Sequence, residues 1–175
     1  MSILPIFIPH AGCPHQCVFC NQKKISGQHS AALASAKEQI ARWRSWLRPS
    51  LAHEAAFYGG SFTGLPLELQ RELLQLTDAL LAEGFIGSVR LSTRPDYIDA
   101  ERLQLLKEHH VELVELGVQS LDDKVLQAAE RGHTAAAVTT AMALLKQHGF
   151  KTGQYVGIIR AGLLCVSNTV VCHTV

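Results

Sequence analysis

The sequence predicts an α/β fold in which a parallel sheet is covered by outer helices. Short β-favouring segments alternate along the chain with longer segments of helical periodicity, which favours right-handed βαβ crossovers. The 175 residues, 47% hydrophobic and 18% charged, suffice for one domain with a sizeable core. No apolar run reaches the length needed to span a bilayer, so membrane insertion is not expected. The formal net charge of +1 gives no overall case for binding nucleic acid.

Each element has a local signal. The four predicted strands are apolar and β-favouring, and they cover residues 3–9, 54–58, 88–93 and 111–118. The helices that follow them cover residues 30–48, 66–83, 99–110 and 134–148. Pro49 ends the first helix, whereas Gly84 and Gly149 end the second and the fourth. The second helix carries its leucines on one face, at positions 69, 73, 76 and 80.

Polar and glycine-rich residues gather after every predicted strand. They occupy residues 13–20, 59–63, 92–96 and 119–120. The carboxyl ends of parallel strands meet at one edge of the sheet, and active sites of α/β proteins collect there. The sequence therefore predicts one cleft built from four segments.

The first of these segments contains three cysteines in C-x3-C-x2-C order: Cys13, Cys17 and Cys20. Three thiolates can hold three irons of a cubane cluster and leave the fourth iron open to a small molecule. A zinc site completed by His15 or His29 is an alternative. A disulfide is disfavoured because the N-terminus lacks the features of a secretory signal. Reduced, metal-bound thiols predict a cytoplasmic protein.

Three motifs resemble the radical S-adenosylmethionine (SAM) superfamily. The first combines Ile8-Pro9-His10 with Gly12-Cys13-Pro14. The second is Ser-Thr-Arg-Pro-Asp-Tyr at residues 92–97, and the third is Glu-Leu-Gly-Val-Gln-Ser at residues 115–120. They are most similar to the branch that contains the radical domain of the Elongator catalytic subunit and oxygen-independent coproporphyrinogen III oxidase. The resemblance covers residues 3–152 and implies a partial (β/α) barrel, a [4Fe-4S] cluster, SAM and an external electron donor of the flavodoxin or ferredoxin type.

The resemblance also implies roles for individual residues. It places Cys13, Cys17 and Cys20 on the cluster, and seven further residues around SAM: Phe19, Gly59, Gly60, Ser61, Ser92, Gln119 and Arg131. Phe19 would lie beside the adenine, residues 59–61 at the methionine amino group and Ser92 near the ribose, where relatives often carry a carboxylate. Arg131 would clamp the SAM carboxylate. No catalytic side chain beyond the cluster ligands is expected.

Simpler interpretations stay open for several of these residues. The Gly59-Gly60 pair is also typical of a tight turn, and Phe19 of packing. Arg131 also suits the end of a short helix next to Gly132. Arg94 would serve either a ligand or the structure. Glu115 would either point into the barrel as a substrate or cofactor contact or face a polar layer. The histidines at positions 10, 15 and 133 are assigned no catalytic role.

The C-terminal segment departs from the family pattern. No acidic residue follows Glu130, and the expected fifth-strand motif is missing after Gly153. We therefore predict a core over residues 1–152, a divergent tail over residues 153–175, and a barrel incomplete at its C-terminal side with an unpaired edge. A truncated or shifted reading frame near residue 153 is the hypothesis that accounts for this tail.

The leading functional hypothesis is a radical SAM enzyme domain that cleaves SAM reductively to a 5′-deoxyadenosyl radical, with tRNA or another macromolecule as substrate. A second hypothesis is radical decarboxylation like that of porphyrinogen oxidases. A third is a non-catalytic iron–sulfur electron-transfer module, whose cluster would be indifferent to SAM.

Overall fold

The computed structural model of the chain describes residues 2–8, 13, 17–18, 29–156 and 170–174. The strands in this part are β1 Ser2–Phe7, β2 His53–Tyr58, β3 Ser88–Thr93, β4 Val111–Gly117, β5 Lys151–Val156 and β6 Val170–Thr174. The α-helices are α1 His29–Trp46, α2 Leu67–Ala82, α3 Ala100–Glu108, α4 Asp123–Ala128 and α5 Ala135–Gln147. No described helix is both long enough and apolar enough to cross a membrane.

The six strands form one sheet in the order β1-β2-β3-β4-β5-β6. Each of the first four strands pairs in parallel with the next one along the chain, and β6 pairs antiparallel with β5. A parallel sheet whose strand order follows the sequence is an arc of a (β/α) barrel, because a doubly wound sheet would reverse its order. The predicted fold class is confirmed.

The outer face of the sheet carries the hydrophobic core. Strand residues such as Leu4, Phe57, Leu91 and Leu116 are at most 2% exposed and pack in one cluster with apolar residues of the helices. Along β3, Val89, Leu91 and Thr93 are buried, whereas Ser88, Arg90 and Ser92 are only half-buried. This alternation separates an apolar outer face from a polar inner face.

Glu115 is the centre of the polar inner face and is fully buried. Its carboxylate accepts hydrogen bonds from Tyr155 Oη (2.8 Å) and Ser92 Oγ (3.2 Å) and lies 3.3 Å from Arg90 Nη2. Burial alone would lower the pKa of Arg90, but the hydrogen bond to Tyr58 and the charge of Glu115 outweigh it and raise the pKa. Burial and the hydrogen bond to Glu115 raise the pKa of Tyr155. Of the two alternatives that the sequence leaves for Glu115, these contacts favour a polar layer within the protein.

The outer edge of β1 is covered by α1. The side-chain amide of Gln39 accepts from Phe7 N–H (2.7 Å) and donates to Phe7 carbonyl oxygen (3.0 Å), as a neighbouring strand would. Trp43 Nε1 donates to the carbonyl oxygen of Pro5 at 3.1 Å. Because these polar groups of the edge are paired, β1 is a poor template for another chain.

The chain after α5 differs from the sequence-based expectation. β5 continues to Val156, beyond the predicted core boundary at residue 152, and β6 pairs with it. The predicted unpaired edge is therefore not at the fourth strand: β5 and β6 extend the sheet beyond it, and β6 is the last strand among the described residues. Gly153 and its polar neighbours weaken the strand signal, yet a Cβ at residue 153 would lie 3.1 Å from Glu115 Cγ, so the glycine fits this strand. The division into a core and a divergent tail stays a prediction.

Candidate functional site

Two of the three cysteines lie within the described residues. Cys17 is 4% exposed and Cys13 is half-buried. The backbone N–H of Val18 donates to the carbonyl oxygen of Ala129 at 3.2 Å, which ties the cysteine segment to the end of α4. Cys20 and Phe19 lie outside the described residues, as do His10 and His15. No group of three metal-binding side chains converges within the described part of the chain.

Arg131 joins the cysteine segment to β4. Its Nη1 donates to Cys17 Sγ at 3.6 Å, its Nη2 to the Gly117 carbonyl oxygen at 2.7 Å, and its Nε to His133 Nε2 at 3.2 Å. The residue is 8% exposed. A Cβ on Gly117 would lie 3.0 Å from Arg131 Nη2, so a glycine at the end of β4 allows this approach. The structure thus brings Cys17 and Arg131 together.

His133 is held as a neutral ring by these contacts. Because Nε2 accepts from Arg131, the proton lies on Nδ1, which donates to the Thr134 carbonyl oxygen at 3.3 Å. Burial lowers the pKa of His133, the Thr134 hydrogen bond opposes this, and the positive charges of Arg131 and Arg94 add to the lowering. His133 therefore positions Arg131 as a neutral acceptor.

Three hydroxyl groups link the ends of β2 and β3. Thr93 Oγ1 lies 3.0 Å from Ser61 Oγ and 2.5 Å from Thr63 Oγ1, and all three residues are at most 3% exposed. Ser61 Oγ also accepts from the backbone N–H of Arg94 at 3.3 Å. The predicted cofactor residue Ser61 therefore has its hydroxyl engaged in the protein. Thr63 and Thr93 were missed as members of the site, because hydroxyl residues after strands are common in ordinary turns.

Arg94 is a buried cation at the end of β3. It is 2% exposed, and its Nε and Nη2 donate to the two carboxylate oxygens of Asp96 at 2.9 and 2.8 Å. Its Nη1 is buried without a hydrogen-bond partner among the described residues. Burial alone would lower the pKa of Arg94, but Asp96 and the nearby charges of Cys13 and Cys17 raise it. The sequence left the role of Arg94 open and did not predict its pairing with Asp96.

The glycine pair after β2 has a structural reason. Gly59 adopts φ +101°, and a Cβ there would lie 2.5 Å from Phe7 Cε2 and 2.8 Å from the Ile8 carbonyl oxygen. A larger residue does not fit at this position whether or not a ligand binds. A water-sized cavity of about 10 Å³ adjoins this turn and is lined in part by Gly60, Ser61 and Ser92. These three predicted residues therefore share one small space.

Gln119 stands directly after β4 in a left-handed conformation, with φ 68°. Its backbone N–H donates to the Tyr155 carbonyl oxygen at 3.0 Å, which holds the turn against β5. Left-handed residues other than glycine are uncommon and concentrate at functional sites. Its side-chain Nε2 would lie 3.7 Å from a Cβ on Gly117, on the same side as Arg131 Nη2. Gln119 and Arg131 therefore lie together at the end of β4.

The charges around Cys13 and Cys17 suit an anionic group. Arg94 and Arg131 are both buried cations, and Asp96 is the carboxylate paired with Arg94. The three described partners of Arg131 carry no formal charge when Cys17 is a thiol. A cubane cluster on three thiolates is negatively charged, and it would supply an acceptor for the unpartnered Nη1 of Arg94. The residues present therefore fit a [4Fe-4S] cluster.

The arc of parallel strands, with Cys17 and Arg131 in contact at its carboxyl edge, has the architecture of (β/α) barrel enzymes. The model of the Radical SAM superfamily matches residues 7–161, and the chain belongs to that superfamily. Members of this superfamily use a [4Fe-4S] cluster and SAM. The match begins before the first cysteine and ends beyond β5.

Three curated relatives illustrate the similarity. An uncharacterized protein of Methanocaldococcus jannaschii is 30% identical over 153 residues, which cover 80% of this chain and 46% of the relative. Elongator complex protein 3 of Saccharomyces cerevisiae is 30% identical over 117 residues, covering 56% of this chain and 21% of the relative. A tRNA uridine(34) acetyltransferase of Dehalococcoides mccartyi is 39% identical over 61 residues, which cover 35% of this chain and 13% of the relative.

Among solved structures, coproporphyrinogen III oxidase of Escherichia coli superposes with a TM-score of 0.65 at 21% identity. The superposition covers 87% of this chain and 36% of that enzyme, and at this identity it shows the fold alone. The chain spans less than half the length of each of these four proteins.

Proposed function

We propose that Cys13, Cys17 and Cys20 hold a [4Fe-4S] cluster, and that SAM binds at its open iron at the carboxyl edge of the sheet. The observation that carries this proposal is the contact between Cys17 Sγ and Arg131 Nη1, at 3.6 Å. It brings the proposed cluster ligand Cys17 next to the proposed carboxylate partner Arg131, although they are 114 positions apart in the sequence. This neighbourhood suits SAM chelated by its amine and carboxylate, because a guanidinium group can hold a carboxylate through two hydrogen bonds.

Arg131 is the proposed partner of the SAM carboxylate. Its contacts to Gly117 and His133, at 2.7 and 3.2 Å, fix the plane of the guanidinium. The hydrogen bond from Nη1 to Cys17 sulfur is weaker, because sulfur is a poor acceptor. Nη1 is therefore the atom that can donate to a carboxylate oxygen of SAM instead. Gln119, next to Arg131, is proposed to donate from its side-chain amide to the same ligand.

The end of β2 is proposed to receive the methionine amino group. Gly59 and Gly60 bring backbone carbonyl groups close to the ligand, since no side chain intervenes. Because the Ser61 hydroxyl already bonds Thr93 and Arg94, Ser61 is proposed to contribute its backbone. Ser92 donates to Glu115 and keeps lone pairs that accept from a ribose hydroxyl. Phe19 is proposed to lie beside the adenine.

When bound and reduced, the cluster and SAM supply a 5′-deoxyadenosyl radical. The residues of this chain orient SAM and shield it from water, and no acid or base of the protein is assigned to the chemistry. The electron is proposed to come from an external flavodoxin or ferredoxin. A reducing compartment, the cytoplasm, is part of this proposal because the three thiolates have to stay reduced.

The test is anaerobic reconstitution of the protein with iron and sulfide, followed by incubation with SAM and dithionite. We expect about three to four irons per chain and release of 5′-deoxyadenosine, detected by mass spectrometry. Cys17→Ala should lose most of the iron, whereas Cys172→Ala, which removes a cysteine outside the motif, should keep it. Equal iron content in the two variants would refute the assignment of Cys17.

For the substrate, we propose a tRNA. The support is similarity to a relative named tRNA uridine(34) acetyltransferase and to Elongator complex protein 3. Porphyrinogen decarboxylation is the second candidate, favoured by the fold shared with coproporphyrinogen III oxidase. The reconstituted protein should form 5′-deoxyadenosine faster with added tRNA than with added coproporphyrinogen III. Stimulation by coproporphyrinogen alone would reverse the choice, and a cluster indifferent to SAM would favour an electron-transfer module.

A further inference from the structure

We propose that Arg94 donates a hydrogen bond from Nη1 to a sulfur atom of the cluster. This hydrogen bond thereby sets the reduction potential of the cluster. The inference rests on the proposed function, because it requires a cluster on Cys13, Cys17 and Cys20. It assigns to Arg94 a role distinct from that of Arg131.

The first observation is an unsatisfied donor. Arg94 Nη1 is buried and has no hydrogen-bond partner among the described residues. The residue as a whole is only 2% exposed. A buried guanidinium group that lacks an acceptor is costly, because the lost hydration is not replaced. An acceptor supplied by a bound group would remove this cost.

The second observation is that Asp96 fixes the direction of the guanidinium. Two parallel hydrogen bonds, of 2.9 Å to Nε and 2.8 Å to Nη2, hold two of the three nitrogens in one plane. The backbone N–H of Arg94 is held by Ser61 Oγ at 3.3 Å. Nη1 is therefore a rigid donor whose direction does not depend on a flexible side chain.

The third observation is the identity of the neighbours. Three groups that can carry a negative charge, Asp96, Cys13 and Cys17, raise the pKa of Arg94, and the charge of Arg94 in turn lowers the pKa of His133. Asp96 already bonds Nε and Nη2, so Cys13 and Cys17 are the other anionic groups among these neighbours. Arg131, from the adjoining segment, already donates from Nη1 to Cys17 Sγ. Of the two buried arginines, Arg94 is the one whose Nη1 has no acceptor among the described residues.

The consequence for redox chemistry follows from charge. When the cluster gains one electron from a reductant, its negative charge increases, and the guanidinium keeps its proton throughout. A fixed donor and positive charge beside the sulfurs stabilise the reduced form more than the oxidised form, which raises the reduction potential. Arg94 would therefore make the cluster easier to reduce.

The experiment measures the midpoint potential of the reconstituted cluster by an electron paramagnetic resonance (EPR) redox titration, without SAM. Four proteins are compared: the wild type, Arg94→Gln, Asp96→Asn, and Arg42→Gln as the control for loss of an exposed arginine. Circular dichroism of the apo-proteins and iron content identify the variants that fold and load. We expect a more negative potential for Arg94→Gln, a less negative one for Asp96→Asn, and no change for Arg42→Gln.

The outcomes separate the two proposals. If the wild type itself forms no cubane cluster, the proposed function fails and Arg94 loses its role with it. If the wild type loads and the folded Arg94→Gln variant has the wild-type potential, the role of Arg94 is refuted while the proposed function stands. If Arg94→Gln does not fold, Arg94→Lys and Asp96→Asn decide, and wild-type potentials in both refute the role.

Discussion

Arg131 Nη1 lies 3.6 Å from Cys17 Sγ, which joins the cysteine segment after β1 to the segment between α4 and α5. The contact exists because Gly117 leaves room for the guanidinium group at the end of β4. It brings together two segments that are remote in sequence.

Replacement of Arg131 by lysine should weaken SAM binding although the charge is kept. A lysine ammonium cannot hold Gly117, His133 and a carboxylate in one plane. Loss of a hydrogen bond to a charged group costs about 1.5–3 kcal/mol, which corresponds to a roughly 10- to 100-fold weaker affinity. Equilibrium dialysis of SAM against the anaerobically reconstituted protein measures this change.

The matched control is Arg71→Lys, which alters an arginine on the surface whose ion pair with Glu108 is 3.9 Å long. Its SAM affinity should equal that of the wild type. Equal affinities for Arg131→Lys and Arg71→Lys would remove Arg131 from the SAM site.

Replacement of Gly59 by alanine should destabilise the apo-protein strongly. The new Cβ would meet Phe7 and the Ile8 carbonyl oxygen at under 3.0 Å, in a backbone conformation with φ +101°. Strain and overpacking together should cost about 3 kcal/mol of the free energy of unfolding. Urea unfolding monitored by circular dichroism measures this cost.

Gly84→Ala is the control for the backbone conformation alone. Gly84 has φ +65°, but a Cβ there meets no atom within 4 Å, so the cost should be about 1 kcal/mol. If both alanines cost the same, the packing of Gly59 against β1 has no energetic importance.

Replacement of Gln39 by alanine should expose the edge of β1. The Phe7 N–H loses its acceptor and the Phe7 carbonyl oxygen loses its donor, which should reduce the free energy of unfolding by about 1 kcal/mol. An uncovered edge also promotes pairing between chains. Sedimentation velocity should therefore show concentration-dependent association of Gln39→Ala, which is not expected of Gln104→Ala, a change of an exposed amide that bonds Glu108.

Acidification should destabilise the folded protein through His133. Above pH 6.5 the ring is neutral in the folded and unfolded states and adds no pH dependence. Below pH 6.5 the unfolded chain takes up a proton that the folded protein does not, because burial and the charge of Arg131 lower the folded-state pKa. Stability should fall as the pH drops, by at most about 1.4 kcal/mol per pH unit.

His133→Gln isolates this contribution, since an amide oxygen can still accept from Arg131 Nε without titrating. Urea unfolding at several pH values between about 5 and 7.5, within the usual range of histidine titration, should give a shallower slope for His133→Gln than for His148→Gln. Identical slopes in the two variants would contradict the buried, neutral state of His133.

The sequence predicted most of the sheet because the first four strands are short segments rich in apolar residues, with polar residues after them. Val111 to Gly117 is such a strand, and the structure places it within one residue of the prediction. β5 was missed because Gly153 and Gln154 interrupt its apolar pattern. Gly153 leaves room for the side chain of Glu115 on the neighbouring strand. A requirement set by a partner strand has no local signal in the sequence.

The candidate site was predictable at the level of segments. The ends of parallel strands meet by topology, so the proximity of Cys17 and Arg131 followed from the fold. The hydroxyl network of Ser61, Thr63 and Thr93 and the unpartnered Nη1 of Arg94 were not predictable, because both depend on side-chain directions at the end of β3.

The most direct test of the central claim is an EPR spectrum of the reconstituted, dithionite-reduced wild type, recorded with and without SAM. An open iron that SAM chelates predicts a cubane signal whose g-values shift when SAM is added. A cubane signal that SAM leaves unchanged, or a protein that holds zinc and no cluster, would contradict the claim.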